Sequence, residues 1–265
     1  MGWLLKPLQW IYCIYAFTTF ISIMLLLFPF AIIVSFFGRI RGGNMTMRIC
    51  MIWADLWFPL IFIWHKKIYE APHDKTKPYI FLSNHISYLD ATIIPKAYRQ
   101  PIRPLGKVEM SKVPVFGFIY RNAIVTVDRS SATNRANSVR VLKSLISKSI
   151  SVLVFPEGTF NMGTTPLKEF YDGAFRVAIE TQTPIKPVLF LDAYRRMNYR
   201  SFFSMTPGRS RILYLEEIPV SSYTLKDVSK LKDDVYALME KKLIQYDAGW
   251  RSPAPKGVTT NSDIS

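Results

Sequence analysis

Tyr79-Ile80-Phe81-Leu82-Ser83-Asn84-His85-Ile86-Ser87-Tyr88-Leu89-Asp90 passes from four apolar residues to a polar break and then to a fresh apolar–polar pattern. The first four read as a short buried strand that stops at Ser83. A strand that ends on a histidine is a usual place for chemistry in an α/β fold, because loops carry function on a rigid scaffold. Asp90 stands five residues after His85. In an extended chain the two would be about 16 Å apart, and on a regular helix they would point about 140° apart. Only a turn with a helix starting just beyond it can return the carboxylate to the imidazole. So placed, the aspartate would fix the tautomer while His85 takes a proton from a hydroxyl. A helix-capping Asp90 beside an ordinary surface His85 fits the same twelve residues.

Outward from this stretch the chain alternates. Strands are expected at 79–83, 102–106, 123–127, 151–155, 185–190 and 211–217, and helices at 90–98, 132–148, 170–182 and 225–246. Such alternation predicts an α/β fold, a sheet with helices packed on it. The basic, aromatic run 195–211 lacks periodicity and reads as a surface loop or a membrane-surface contact. The last fifteen residues, with two prolines and many small polar side chains, suit a disordered tail.

Before the sheet comes a different kind of sequence. From Pro7 to Gly38 there is no charged residue. As a helix this stretch would be about 48 Å long, against a hydrocarbon core of about 30 Å. It is too long for one upright span, so a tilted span or a turn back at Pro29 is expected. It is also too long for a signal core, and no small-residue cleavage site ends it. Lys6 precedes it, while Arg39, Arg41 and Arg48 follow, which places the rest of the chain on the cytoplasmic side; a bacterial inner membrane is favoured over endoplasmic reticulum. A second apolar stretch, 49–64, carries Trp53, Trp57 and Trp64 and suits either an interfacial helix or burial against the domain. The organisation expected is an anchor over 1–68, a catalytic domain over 69–250 and a tail over 251–265.

With 49% hydrophobic and 20% charged residues, the 265-residue chain is apolar for a soluble protein. Its net charge of +15 implies acidic partners: nucleic acid, anionic lipid, coenzyme A or an acidic carrier protein. No helix-turn-helix, zinc spacing or single-strand-binding motif accompanies the charge, so nucleic acid is set aside. Cys13 and Cys50 lie in apolar stretches and give no disulfide framework, and three scattered histidines give no metal site.

A second candidate stretch, Phe155-Pro156-Glu157-Gly158-Thr159, follows another apolar strand. Proline ends the strand, glutamate sits at its mouth, and glycine lets backbone approach a ligand. Between the two stretches, Val127-Asp128-Arg129 again runs from a strand into charge, and a guanidinium there suits phosphate capture.

In this order the set resembles the 1-acylglycerol-3-phosphate acyltransferase family. Asn84, His85 and Asp90 match its first motif, and Val127-Asp128-Arg129 the end of its second, with Ala123 where a glycine is usual. Phe155 to Thr159 match its third, with Phe160 where arginine is usual. Pro184 to Val188 match its fourth, and Lys107 with Val113-Pro114-Val115-Phe116-Gly117 look like the region before its second. The resemblance implies a mixed sheet flanked by helices. It also implies acyl transfer from acyl-CoA or acyl carrier protein to a lipid hydroxyl, with no cofactor beyond that co-substrate. His85 and Asp90 would be catalytic, and Asn84, Lys107, Arg129, Glu157, Gly158 and Thr159 would bind substrate. Glu157 would hold the acceptor's other hydroxyl or head group, and Arg129 its phosphate. No Gly-x-Ser-x-Gly elbow is present to offer a serine nucleophile.

Overall fold

The computed structural model describes residues 2–127 and 132–250. In chain order these form α1 (Gly2–Ser35), α2 (Gly43–Leu60), β1 (Ile63–Tyr69), β2 (Ile80–Leu82), α3 (Leu89–Ala97), β3 (Ile102–Lys107), α4 (Phe116–Ala123), β4 (Val125–Val127), α5 (Ala132–Ile146), β5 (Ser151–Val154), α6 (Gly173–Thr181), β6 (Ile185–Phe190), α7 (Ala193–Arg196), β7 (Gly208–Tyr214) and α8 (Val228–Gln245).

The seven strands make one mixed sheet in the order β1-β7-β6-β2-β5-β3-β4. Only β6 and β7 pair antiparallel; β2, β5, β6 and β3 run the same way and end on the same edge. Burial of both faces explains the apolar runs 80–82, 152–154 and 188–190, with Arg103 on β3 and Lys186 on β6 as buried exceptions. On β2, Phe81 enters the core shared with α1, α2 and α3, while Ile80 and Leu82 enter the core shared with α5, α6 and α8. The same period-2 division holds for β6, where Val188 and Phe190 face one core and Leu189 the other. A fully buried apolar side chain of this size stabilises by about 1.5–3 kcal/mol.

β1 corrects the expected organisation. It pairs with β7 over seven residues, so the boundary drawn at 68 falls inside a strand of the sheet. The stretch 49–64 is likewise not one element. Trp53 and Trp57 lie on α2 and are buried, whereas Trp64 lies on β1 and is 58% exposed. Their indole N–H groups donate into α1, Trp57 to Ala16 O at 2.9 Å and Trp53 to Phe20 O at 3.3 Å. These bonds join α1 and α2 into a hairpin.

α1 is continuous through Pro29, and the chain turns back only at 36–42, where Gly38 takes φ +79°. At about 51 Å it is long and apolar enough to cross a membrane, with mean hydropathy 2.5. Yet it lies along the domain. Near its start Cys13 and Gln9 reach Met205 O, and near its end Phe28 meets Phe118 edge-on at 5.6 Å. Leu8, Ile14, Leu26, Phe30 and Ile33 point away from the protein, each more than half exposed. Next to this helix the run 195–211 holds a short turn with Phe202 and Phe203 exposed. The expected tail lies outside the described residues.

Candidate active site

The carboxyl ends of β2, β5 and β6 meet at mid-sheet, the usual crevice for ligands in parallel α/β sheets. Beyond β2 the chain turns, and α3 begins at Leu89. Asp90 N–H donates to Ser87 O at 3.1 Å, and the carboxylate swings back over the turn. Its Oδ2 accepts from Ile86 N–H at 2.7 Å, from Ser87 N–H at 2.8 Å and from His85 Nδ1 at 2.9 Å. The five-residue spacing is therefore closed by a turn that the aspartate itself caps. Because a carboxylate only accepts, Nδ1 carries the proton and Nε2 is left as the acceptor. Asp90 is fully buried, while the His85 side chain keeps 22% exposure.

The backbone of His85 is held on both sides. Its N–H donates to Glu157 Oε1 at 2.7 Å, and its carbonyl accepts from Asn161 N–H at 2.8 Å. Phe155 stacks on the imidazole at 4.1 Å with 16° between planes, and Phe160 meets its edge at 4.4 Å. From Phe160 a series of rings leads away: Tyr88 at 5.0 Å, then Phe202 stacked on Tyr88 at 4.4 Å, then Phe17 of α1 at 6.2 Å.

Residues 65–191 match the Acyltransferase family model. The 1-acyl-sn-glycerol-3-phosphate acyltransferase of Haemophilus influenzae is 28% identical over 74% of this chain and 80% of its own length. The mouse 1-acyl-sn-glycerol-3-phosphate acyltransferase alpha is 31% identical over 60% of this chain and 56% of its own length. The matched segment, just under half of the chain, is similar to the acyltransferase family. A crystal structure of the 1-acyl-sn-glycerophosphate acyltransferase PlsC from Thermotoga maritima shares the fold, with TM-score 0.71 over 95% of this chain and all of that one, at 19% identity.

In this acyltransferase the residues expected to bind substrate divide. Asn84 is buried, and its amide bonds Phe190 twice: Nδ2 donates to Phe190 O at 3.1 Å, and Oδ1 accepts from Phe190 N–H at 2.8 Å. It ties the end of β2 to the end of β6, and both ends of the amide are already engaged. Glu157 is fully buried as well, with Oε1 on His85 N–H and Oε2 on Lys168 N–H at 2.8 Å. It faces the interior, not an acceptor. Burial pushes its carboxyl up to about 8, against the pull of the two N–H donors, which favour the ionised form. Gly158 supplies the turn that makes this possible: its N–H donates to Phe155 O at 3.0 Å and its φ is +72°.

The remaining positions are outward. Thr159 is exposed and accepts from Lys168 Nζ at 3.0 Å. Phe160, Asn161, Lys168, Phe170, Lys232 and Tyr236 are among the residues lining a cavity of about 670 Å³ beside the catalytic edge. Lys107 ends β3 on the same edge, exposed and two strands from β2. Arg129 lies outside the described residues. Sequence reasoning missed Phe155 and Asn161 as supports of His85. Phe155 was within the matched motif and only its side chain's destination was hidden; Asn161 acts through its backbone, which leaves no signal in residue type.

Proposed function

We propose that the chain transfers a fatty acyl group from acyl-CoA or acyl carrier protein to the free hydroxyl of lysophosphatidate, forming phosphatidate in phospholipid biosynthesis. The observation that carries this is the His85–Asp90 pair: a buried carboxylate on Nδ1 at 2.9 Å, with the ring still reachable from outside. Nε2 takes the acceptor's hydroxyl proton, and that oxygen attacks the thioester carbonyl. The new C–O bond forms as the C–S bond breaks, and the proton passes from the imidazolium to the departing thiolate. Asp90 stabilises the imidazolium in between. Asn84, Glu157 and Asn161 position the histidine, while Thr159, Lys168, Lys107 and Arg129 are the groups left to meet substrate. The anchor holds the active site on the cytoplasmic face of the membrane where the acceptor lies. Carbonate or high-salt washing is expected to leave the protein in the membrane pellet, since burial of α1 outweighs charge.

A second acceptor class is favoured by Phe160. Where relatives of this type usually carry arginine, this chain sets an apolar ring against His85, which gives no charge to a phosphomonoester. A lysolipid with a bulkier or less charged head group would pack there. Purified protein assayed with one acyl donor and a panel of acceptors decides between them. Lysophosphatidate is expected to lead by at least about tenfold in kcat/KM, or about 1.4 kcal/mol; a faster lysophosphodiester or lyso-aminolipid gives the place to the second class.

A further inference from the structure

At the far end of α1 from His85 lies a second cavity, of about 230 Å³, whose lining includes Arg39, Arg103, Arg121 and Lys148 and no acidic residue. Arg103 is the unusual member. It is 3% exposed, and its Nη atoms donate to carbonyls only: Ile102 O at 2.9 Å, Ile40 O at 3.2 Å and Arg39 O at 3.4 Å. A buried arginine ordinarily has a carboxylate partner. Among the described residues none pairs with this one, nor with Arg39, Arg121 or Lys148. The backbone makes room for it: a Cβ on Gly43 would stand 2.3 Å from Arg103 Nη2. Burial lowers this guanidinium to about 10, so the unpaired charge costs stability where it stands.

Position separates this cavity from the catalytic one. Arg103 pairs with Val152, near the start of β5. His85 and Glu157 lie past the opposite ends of β2 and β5. Along α1, Phe17, about midway, meets the ring series that leads from His85, and the helix ends at Ser35 about 27 Å further on. Arg39 and Ile40 line the cavity directly after that apolar helix, beside its exposed Phe30 and Ile33.

We infer that Arg39, Arg103, Arg121 and Lys148 form a phosphate-binding pocket, distinct from the His85 site, that takes the head group of an anionic membrane phospholipid. A phosphate seated there supplies the anion that Arg103 lacks, and planar guanidinium groups suit its oxygens. It also joins four parts of the chain: the turn after α1, the start of β3, α4 and the turn after α5. The site holds whichever acceptor the catalytic edge takes.

The test uses the full chain in neutral detergent, with short-chain phosphatidylglycerol as the lipid probe, phosphatidylcholine as the zwitterionic control, and inorganic phosphate and coenzyme A as soluble phosphates. Thermal unfolding is followed by tryptophan fluorescence, and bound lipid is counted by native mass spectrometry. Phosphatidylglycerol is expected to raise the unfolding temperature by several degrees, with one lipid retained, and the other three to do neither. Arg121→Gln combined with Lys148→Gln changes two side chains at the cavity's mouth. It should raise the half-saturating phosphatidylglycerol at least tenfold while leaving acyl transfer without added anionic lipid unchanged. Lys148→Glu alone, a milder change to the fold, should weaken binding in the same direction. Lys168→Gln, in the other cavity, should keep the wild-type response. An unchanged response in the Arg121 and Lys148 variants, or loss only in Lys168→Gln, overturns the pocket. An equal response to phosphatidylcholine overturns its charge selectivity. A matching response to phosphate or coenzyme A overturns the lipid as its occupant.

Discussion

The floor of the catalytic edge and its rim are built on opposite plans. On the floor, Asn84, Asp90 and Glu157 are buried and bonded to backbone, Asn84 and Glu157 on neighbouring segments and Asp90 within its own turn. Nothing there can move without leaving a buried N–H or carboxylate unmatched, at about 1–3 kcal/mol apiece. On the rim, Thr159, Lys168 and Lys107 are exposed, and Phe160 is only half-buried. The floor thus fixes one base in one orientation, and the rim is where acceptors can be distinguished. Polar residues that match a motif need not face a ligand; here Asn84, Asp90 and Glu157 hold the strand ends and the histidine between them.

This contrast can be broken at four points. His85→Ala is expected to lower kcat by about 10³–10⁴ with folding and membrane binding intact, because the lost group is the base itself. Near-normal turnover by purified protein ends the mechanism. Asp90→Asn should cost about 10². The amide still occupies the turn but cannot stabilise an imidazolium, so kcat should fall with little change in KM.

Glu157→Gln sharpens the comparison through pH. In the unfolded chain this carboxyl ionises near 4.5, and in the fold at about 8. The folded protein therefore binds more protons between those values. Its stability contribution is complete below pH 4.5 and is lost as pH rises toward 8. Thermal unfolding across pH 4.5–9 should show this decline in the wild type. The glutamine variant should lack that component, and it should be less stable throughout because its NH2 opposes one of the two N–H donors. A variant as stable as wild type with the same slope removes Glu157 from the floor. The smallest effect belongs to the rim: Phe160→Arg should move the ratio of kcat/KM for lysophosphatidate over lysophosphatidylcholine by about tenfold toward lysophosphatidate. If kcat collapses for both acceptors instead, Phe160 supports His85 and belongs with the floor.

Much of the fold was legible because it is locally encoded. The runs at 152–154 and 187–190 are apolar on both faces, as central strands of a covered sheet require. The turn between His85 and Asp90 was one of two readings that the spacing allowed, and the ordered motifs favoured it. β1 was not legible. Ile63-Trp64-His65-Lys66-Lys67-Ile68-Tyr69 carries three basic or titratable side chains in a row and follows a tryptophan-rich helix, and its partner strand begins 145 residues later, at Gly208. α4 was missed for a different reason, since Val113 to Gly117 carry turn residues and the helix after them is only eight residues long. Within the candidate site, the sequence offered residues but not the direction of their side chains. Glu157 read as a group at the strand's mouth because a proline and a glycine flank it. The positive φ of Gly158 carries the chain onward while the carboxylate points inward.

The way α1 lies against the domain governs how this protein meets its lipid. A tethered domain on a flexible linker samples many heights and tilts, and each encounter with a lipid hydroxyl must find the right one. Here the apolar helix touches the domain near both its ends, so anchor and catalyst tilt together. Rotation about the bilayer normal and drift within the plane remain free. With α1 in the bilayer, as proposed, the imidazole would keep a constant depth, and the search for an acceptor would be reduced from three dimensions to two.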